Sequence, residues 1–217
     1  MSRARRIFLG LGGVCLIATG GVGLSGASFS AQKANPANTF TAAASFCTSS
    51  GNQTITADKD TFLDQSNAAS TTNGGSPAMT VRSRSNSRNA YAVVGFTLPT
   101  KPSGCSVTSA TLKVFATSAE TPRTIEAYRV TSSWTEAGAN WNNSPTFTTP
   151  ATTSAAGTGL RSWTVTTQVQ ALYGSSNPNS GFLLKDQSND AGGNGQTQTY
   201  STREAASNKP TLEVTFG

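Results

Sequence analysis

The 217-residue chain contains no histidine. That absence removes the usual general base, the Ser-His-Asp and Cys-His arrangements, and most zinc sites. Catalysis would have to rest on a carboxylate pair, as in glycoside hydrolysis, and the chain has only ten Asp and Glu in all. Charged residues are 12% of the total. Ser, Thr, Asn and Gly dominate the polar positions, a balance that suits short strands and turns better than long charged helices. Sustained helical periodicity is missing, and so is any apolar run of the roughly 20 residues that a bilayer span requires.

What is present begins with Arg3, Arg5 and Arg6, followed by IFLGLGGVCLIA (residues 7–18) and the small-residue run TGGVGLSGA. A basic start, a short apolar middle and small residues make a secretory signal peptide over residues 1–27, with cleavage expected after Ala27. Cys15 lies in the apolar run and goes with it. Removing three arginines from 16 basic residues leaves 13 against 10 acidic ones, a net charge of +3. So small a surplus, in an exported protein without basic residues interleaved with aromatics, argues against a nucleic-acid partner. No membrane association is expected once the signal is cut.

Two cysteines survive cleavage, Cys47 and Cys105. In an exported protein an even pair is expected to be bridged. Residues 28–51 lack alternation and read as a flexible leader. The stretch SGASFSAQKANPANTF, which spans the cut, resembles the export signals of bacterial biofilm-matrix and spore-surface proteins, with Phe29 after the cut and Asn38-Thr39-Phe40 shortly beyond. An ordinary secretory signal fits the same residues.

From residue 52 to 217 the chain is a series of short β signals separated by turn formers. These are QTITA, DTFLD, AMTVRSR, AYAVVGFTL, SVTSATLKVFATS, RTIEAYRV, SWTV, SGFLLKD, QTQTYST and PTLEVTFG. In the last, Leu212, Val214 and Phe216 alternate with Thr211, Glu213 and Thr215, the pattern of a half-buried strand. Only TTQVQALYG (166–174) reads as a short helix. Nine or ten strands with Gly- and Pro-rich connections predict an all-β, jelly-roll-like sandwich of two antiparallel sheets.

Several groups are candidates for chemistry. Asp58, Asp60 and Asp64 crowd into ADKDTFLD, and Asp60 and Asp64 share a face if the segment is extended. They fit a solvated strand edge, a calcium site of hard oxygen ligands, or a catalytic pair. Trp134, Trp141 and Trp163 fit either core and loop anchoring or a platform for sugar rings.

The order of VRSRSNSRNAYAVVGFTLP, SVTSATLKVFAT, YRVTSSWTEAGANWNNSP, GFLLKD and TYSTREAASNKPTLEVTF resembles the DNRLRE domain, also classed as carbohydrate-binding module family 96. The resemblance covers residues 52–217. It implies an extracellular, non-catalytic jelly roll of bacterial or archaeal surface proteins, some members of which bind acidic polysaccharides such as alginate. It also carries Trp134, Glu136 and Trp141 as one signature, and Arg203-Glu204 with Pro210 as another. Where many relatives place a basic and an acidic residue around a strand phenylalanine, this chain has Gly95 and Thr97 about Phe96.

Two roles follow. In the first, Arg82 and Arg84 on one strand face, Arg88 past the turn, and Lys185 and Arg203 on later strands hold carboxylated sugars through bidentate guanidinium pairs. The same arginines also fit a sheet edge blunted by solvated charge. In the second, the chain is a structural or adhesive component whose partners are other matrix proteins or the cell wall. Neither role requires a cofactor, and calcium at Asp60 and Asp64 would be structural.

Overall fold

The computed structural model describes residues 46–217 apart from 67–68, 121–122, 156, 175–177 and 192–196, and of 151–155 the backbone alone. The expected signal peptide, the leader up to residue 45 and Asn38-Thr39-Phe40 lie outside the described residues. The elements in order are β1 (Gly51–Thr56), β2 (Lys59–Asp64), β3 (Ala78–Arg82), β4 (Ala90–Gly95), β5 (Val107–Ala119), β6 (Thr124–Val130), β7 (Phe147–Ala155), β8 (Gly159–Thr164), α1 (Thr166–Leu172), β9 (Phe182–Asp186), β10 (Thr197–Ser201) and β11 (Thr211–Phe216). Every strand pairing is antiparallel.

The hydrogen-bonded path runs β1-β11-β5-β10-β3-β4-β9-β6-β7, with β2 added to β4 and β8 to β5. It turns a corner at β3 and β4, which share only the pair Arg82 and Ala90. One layer is therefore built on β5 with β11, β8 and β1, and the other on β4 with β2, β9, β6 and β7. Leu112, Val114, Leu212, Val214 and Trp163 from the first layer join one buried cluster with Ala92, Val94, Phe182, Leu184, Ile125 and Ala127 from the second. This is the core of an all-β sandwich, as the alternation of β11 predicts. Trp163 on β8 crosses it, its indole N–H donating to the Ile125 carbonyl of β6 at 2.9 Å.

β4 is buried at all six positions, because its second face is covered too. Tyr91 and Val93 of β4, Leu183 of β9, Tyr128 and Val130 of β6 and Leu63 of β2 form a second cluster, roofed by Trp134, Ala139 and Trp141. The Trp134 indole donates to the Ser180 carbonyl at 2.7 Å, which supplies the polar partner that a buried indole needs. The segment between β6 and β7 is thus nailed to the outer face of the sheet, and all three tryptophans act as core or loop anchors.

Cys47 and Cys105 are disulfide-bonded, as their parity predicts. The Thr48 amide donates to the Ser103 carbonyl at 3.1 Å, so the chain just before β1 is fastened to the start of β5. One strand goes beyond the sequence-based reading. β7, FTTPATTSA, carries Pro150 and no apolar alternation, and its place at the end of the hydrogen-bonded path explains both, since an edge strand tolerates a missing donor.

Candidate functional site

The arginines separate into two groups. Arg82, at the end of β3, ion-pairs with Asp64, and its Nε donates to the Arg88 carbonyl at 2.6 Å. Asn86 and Ser87 have φ values of 62° and 56°, left-handed conformations that bring the turn round. Arg84 pairs with Glu120 at 3.1 Å. Among the described residues Arg88 meets only a backbone carbonyl, that of Ser85 at 3.4 Å.

This turn is buttressed by the loop after β9. The Asn89 side chain donates to Asp190 at 3.0 Å and to Gln65 at 2.6 Å, while Tyr91 Oη and the Asn189 amide lie 2.8–3.0 Å apart. Lys185 of β9 points its ammonium over the rings of Tyr91 and Tyr128, at 5.7 and 5.9 Å from their centroids, within cation–π reach. Partly exposed Trp141 packs against Tyr91 with centroids 4.7 Å apart and the ring planes tilted by 48°. Burial, together with its bond to Glu126, pushes the Tyr128 phenol far up, so it remains a neutral donor. Lys185 thus lies over Tyr91, a residue that alternation places on the face opposite Ala92 and Val94, while the turn bearing Arg82 and Arg88 leads into the same strand.

Arg203 stands elsewhere. Its guanidinium grips Glu136 bidentately at 2.7 and 2.8 Å and reaches Glu204 at 3.0 Å. Glu136 Oε1 also accepts the Asp60 backbone N–H at 2.6 Å, capping the open edge of β2. The Asp60 carboxylate accepts the Arg203 N–H at 2.6 Å. Asp60 and Asp64 lie four residues apart on β2, roughly 13 Å of extended chain, and face different partners. The structure therefore does not join them in one site. It groups Asp60 with Glu136 and Glu204 instead, around a guanidinium that already supplies positive charge.

The electrostatics follow from burial. Asp60 is 1% exposed; desolvation, with Glu204 and Glu136 adding to it against the Arg203 N–H, raises its carboxyl to about 7. Burial alone would raise Glu136 as well, but hydrogen bonds from Arg203 and the Asp60 N–H, with the Arg203 and Lys59 charges, hold it below the usual range. With Asp60 enclosed and Glu136 taking three N–H groups, these carboxylates brace the edge and leave little for an incoming sugar.

Gly95 has a local explanation. A Cβ there would lie 2.5 Å from Lys59 Cε, so the bare backbone lets the lysine stem lie across β4. The Lys59 ammonium then sits 4.5 Å above the Trp134 ring and donates to the Trp134 carbonyl at 3.3 Å. Thr97, where a charge was expected from the resemblance, donates to Asp58.

The sandwich, the roofing tryptophans and the Glu136–Arg203 clamp across β2 place the signatures of the sequence in one folded unit, and the model of one family matches it over residues 51–216. The chain belongs to carbohydrate-binding module family 96. A search of curated proteins finds no significant match. Members of carbohydrate-binding module families are typically non-catalytic, and polysaccharide is the ligand class that the family name supplies. In this family 96 module, sequence reasoning missed Tyr91, Tyr128 and Asn189. Their role comes from cross-strand packing with Lys185, for which no local motif exists.

Proposed function

We propose that the chain is a secreted, non-catalytic module that binds extracellular polysaccharide, acidic polysaccharide included, through the end of the sandwich formed by the 82–91 turn, Lys185 and Trp141. Family membership supports the ligand class. The observation that carries the site is that Lys185, over the Tyr91 ring that Trp141 contacts, and Arg88, on the turn leading into β4, have no carboxylate partner among the described residues, whereas Arg82, Arg84 and Arg203 each have one. Cations that no internal carboxylate neutralises, close to exposed aromatic surface, suit a carboxylated, ring-shaped ligand. Arg82 and Arg84 then shape the turn, and Arg203 holds the opposite end of β2. No cofactor enters this reading, since the Arg203 guanidinium does for Glu136 and Glu204 what a structural calcium ion would do. Nucleic acid and membrane are not partners in it.

Electrophoresis of the secreted protein in gels containing polygalacturonate or neutral dextran tests the proposal. Retardation by polygalacturonate that is lost in Arg88→Ala/Lys185→Ala is expected; equal retardation of variant and parent overturns the site. A structural or adhesive matrix role is the second reading, favoured by the leader SGASFSAQKANPANTF. It predicts concentration-dependent assembly in size-exclusion chromatography without any sugar.

A further inference from the structure

Open sheet edges are ordinarily guarded by charge, proline, a bulge or a cap. β7, at one end of the hydrogen-bonded path, carries Pro150. The Asp60 N–H of β2 is taken by Glu136, and β8 lies alongside β7. β1, at the other end, has none of these protections. Its residues, GNQTIT, include no charge and no proline, and all except Ile55 are exposed. Its register against β11 runs unshifted from Gly51 to Thr56, and among the described residues β11 is its only strand partner.

Which backbone groups lie bare follows from the ladder. The Ala57 N–H donates to the Pro210 carbonyl at 3.0 Å, and Ser106 and Gly217 exchange hydrogen bonds on the β5 side of β11. In an antiparallel ladder alternate residues turn both N–H and C=O to the same side. Gln53 and Ile55 therefore bond to β11, as Ala57 does, while Asn52, Thr54 and Thr56 present donor and acceptor to the open edge. Their side chains share the outer face of the sheet, because Ile55 packs against the core. Thr54 stands midway between the other two. A two-fold axis through it sets Thr54 against its own copy and Asn52 against Thr56, with Gln53 against Ile55 on the opposite face. Each side chain then meets one on its own side of the pleat.

We infer that β1 is a docking edge for a second copy of this chain, the two β1 strands pairing antiparallel about Thr54 and joining two sandwiches through one continuous sheet. About six N–H···O bonds close the pair, two between the Thr54 residues and two at each Asn52–Thr56 contact. The only charge on β11, Glu213 opposite Thr54, is bound by Lys113, so no free charge of that strand faces the axis. The described residues ahead of β1 are led away from this edge, because the Cys47–Cys105 bridge and the Thr48–Ser103 hydrogen bond carry them past β11 to the start of β5. An isologous contact of this kind closes at two copies and does not propagate. It rests on neither reading of the function.

The test is sedimentation velocity of the secreted protein over a range of concentrations, without sugar. A contact made by one short strand is small, so a monomer–dimer equilibrium with a Kd of about 10–100 µM is expected. Asn52→Lys/Thr56→Lys sets lysine against lysine at both ends of the pair and should weaken it at least about tenfold. Asn52→Lys/Thr56→Glu changes the same two positions but sets lysine against glutamate, and should pair as tightly as the parent or more so. Thr54→Pro removes the donor on the axis, which takes no part in the β1–β11 ladder, and should abolish pairing. A monomer at every concentration, the outcome if the leader of the same chain or a strand of another protein covers the edge, would overturn the inference. So would growth beyond two copies, which the matrix reading expects, a dimer of Thr54→Pro, or equal behaviour of the two charged variants. Retardation by polygalacturonate reads a different surface and succeeds or fails separately.

Discussion

Replacing Asp60 with asparagine should stabilise this protein at alkaline pH and not at acidic pH. The carboxyl is raised from 3.8 to about 7 in the fold. The folded state therefore holds a proton that the unfolded chain releases. The cost of ionising Asp60 is absent below the unfolded value, grows as pH rises between the two, and is complete above the folded one. At about 1.4 kcal/mol per unit, the three-unit difference amounts to at most about 4 kcal/mol, of which roughly 2–3 kcal/mol falls between pH 5 and pH 8. Asparagine retains an oxygen for the Arg203 N–H and has nothing to ionise. The window is unusually clean, because a chain without histidine has no other side chain that ordinarily titrates there. Glu136 works the other way, but only at lower pH, where protonating it loosens the Arg203 clamp. The assay is chemical denaturation of parent and Asp60→Asn at about pH 5 and about pH 8. The parent should lose stability over that interval while the variant stays flat. Parallel profiles would refute the reasoning, and with it the enclosure of Asp60 by Glu136 and Glu204.

Other perturbations have equally definite outcomes. Gly181 has φ +81°, and a Cβ there would lie 2.1 Å from the Val94 carbonyl oxygen, so Gly181→Ala should lower the melting temperature by several degrees, read by circular dichroism. Trp163→Ala removes a core side chain and its bond to Ile125, at an expected cost of about 3–5 kcal/mol in urea denaturation. Opening the Cys47–Cys105 bridge, which spans 58 residues, with Cys47→Ser/Cys105→Ser should cost about 4 kcal/mol in the chain-entropy view; unchanged unfolding would show that the residues ahead of β1 contribute nothing to the fold.

Much of the fold is legible in the residues because the strands that form the core alternate. Leu212, Val214 and Phe216 read inward from their spacing alone, and they are inward. β7 is illegible for the opposite reason: an edge strand of threonines around Pro150 has no apolar side to betray it. β4 misleads to a degree, since Tyr91 and Val93 look like an outward face until the tryptophan loop covers them. The arginine turn is visible as a run of charge, but which guanidinium is free depends on where Asp64 and Glu120 fall after folding.

The disulfide also decides how the module transmits tension. A pull entering at residue 46 and leaving at Gly217 crosses covalently from Cys47 to Cys105, so β1 through β4 hang in a closed loop outside the line of force. What remains loaded is the short path from Cys105 to the end of β11, where Ser106 and Gly217 exchange hydrogen bonds at 2.9 and 3.0 Å. Because β5 and β11 are antiparallel and are seized at adjacent ends, their bonds break in succession, like a zip, rather than resisting together in shear. A module tethered in this way yields early along β11 while its Arg88 and Lys185 end, carried largely by the shielded loop and β9, lies off the strained path.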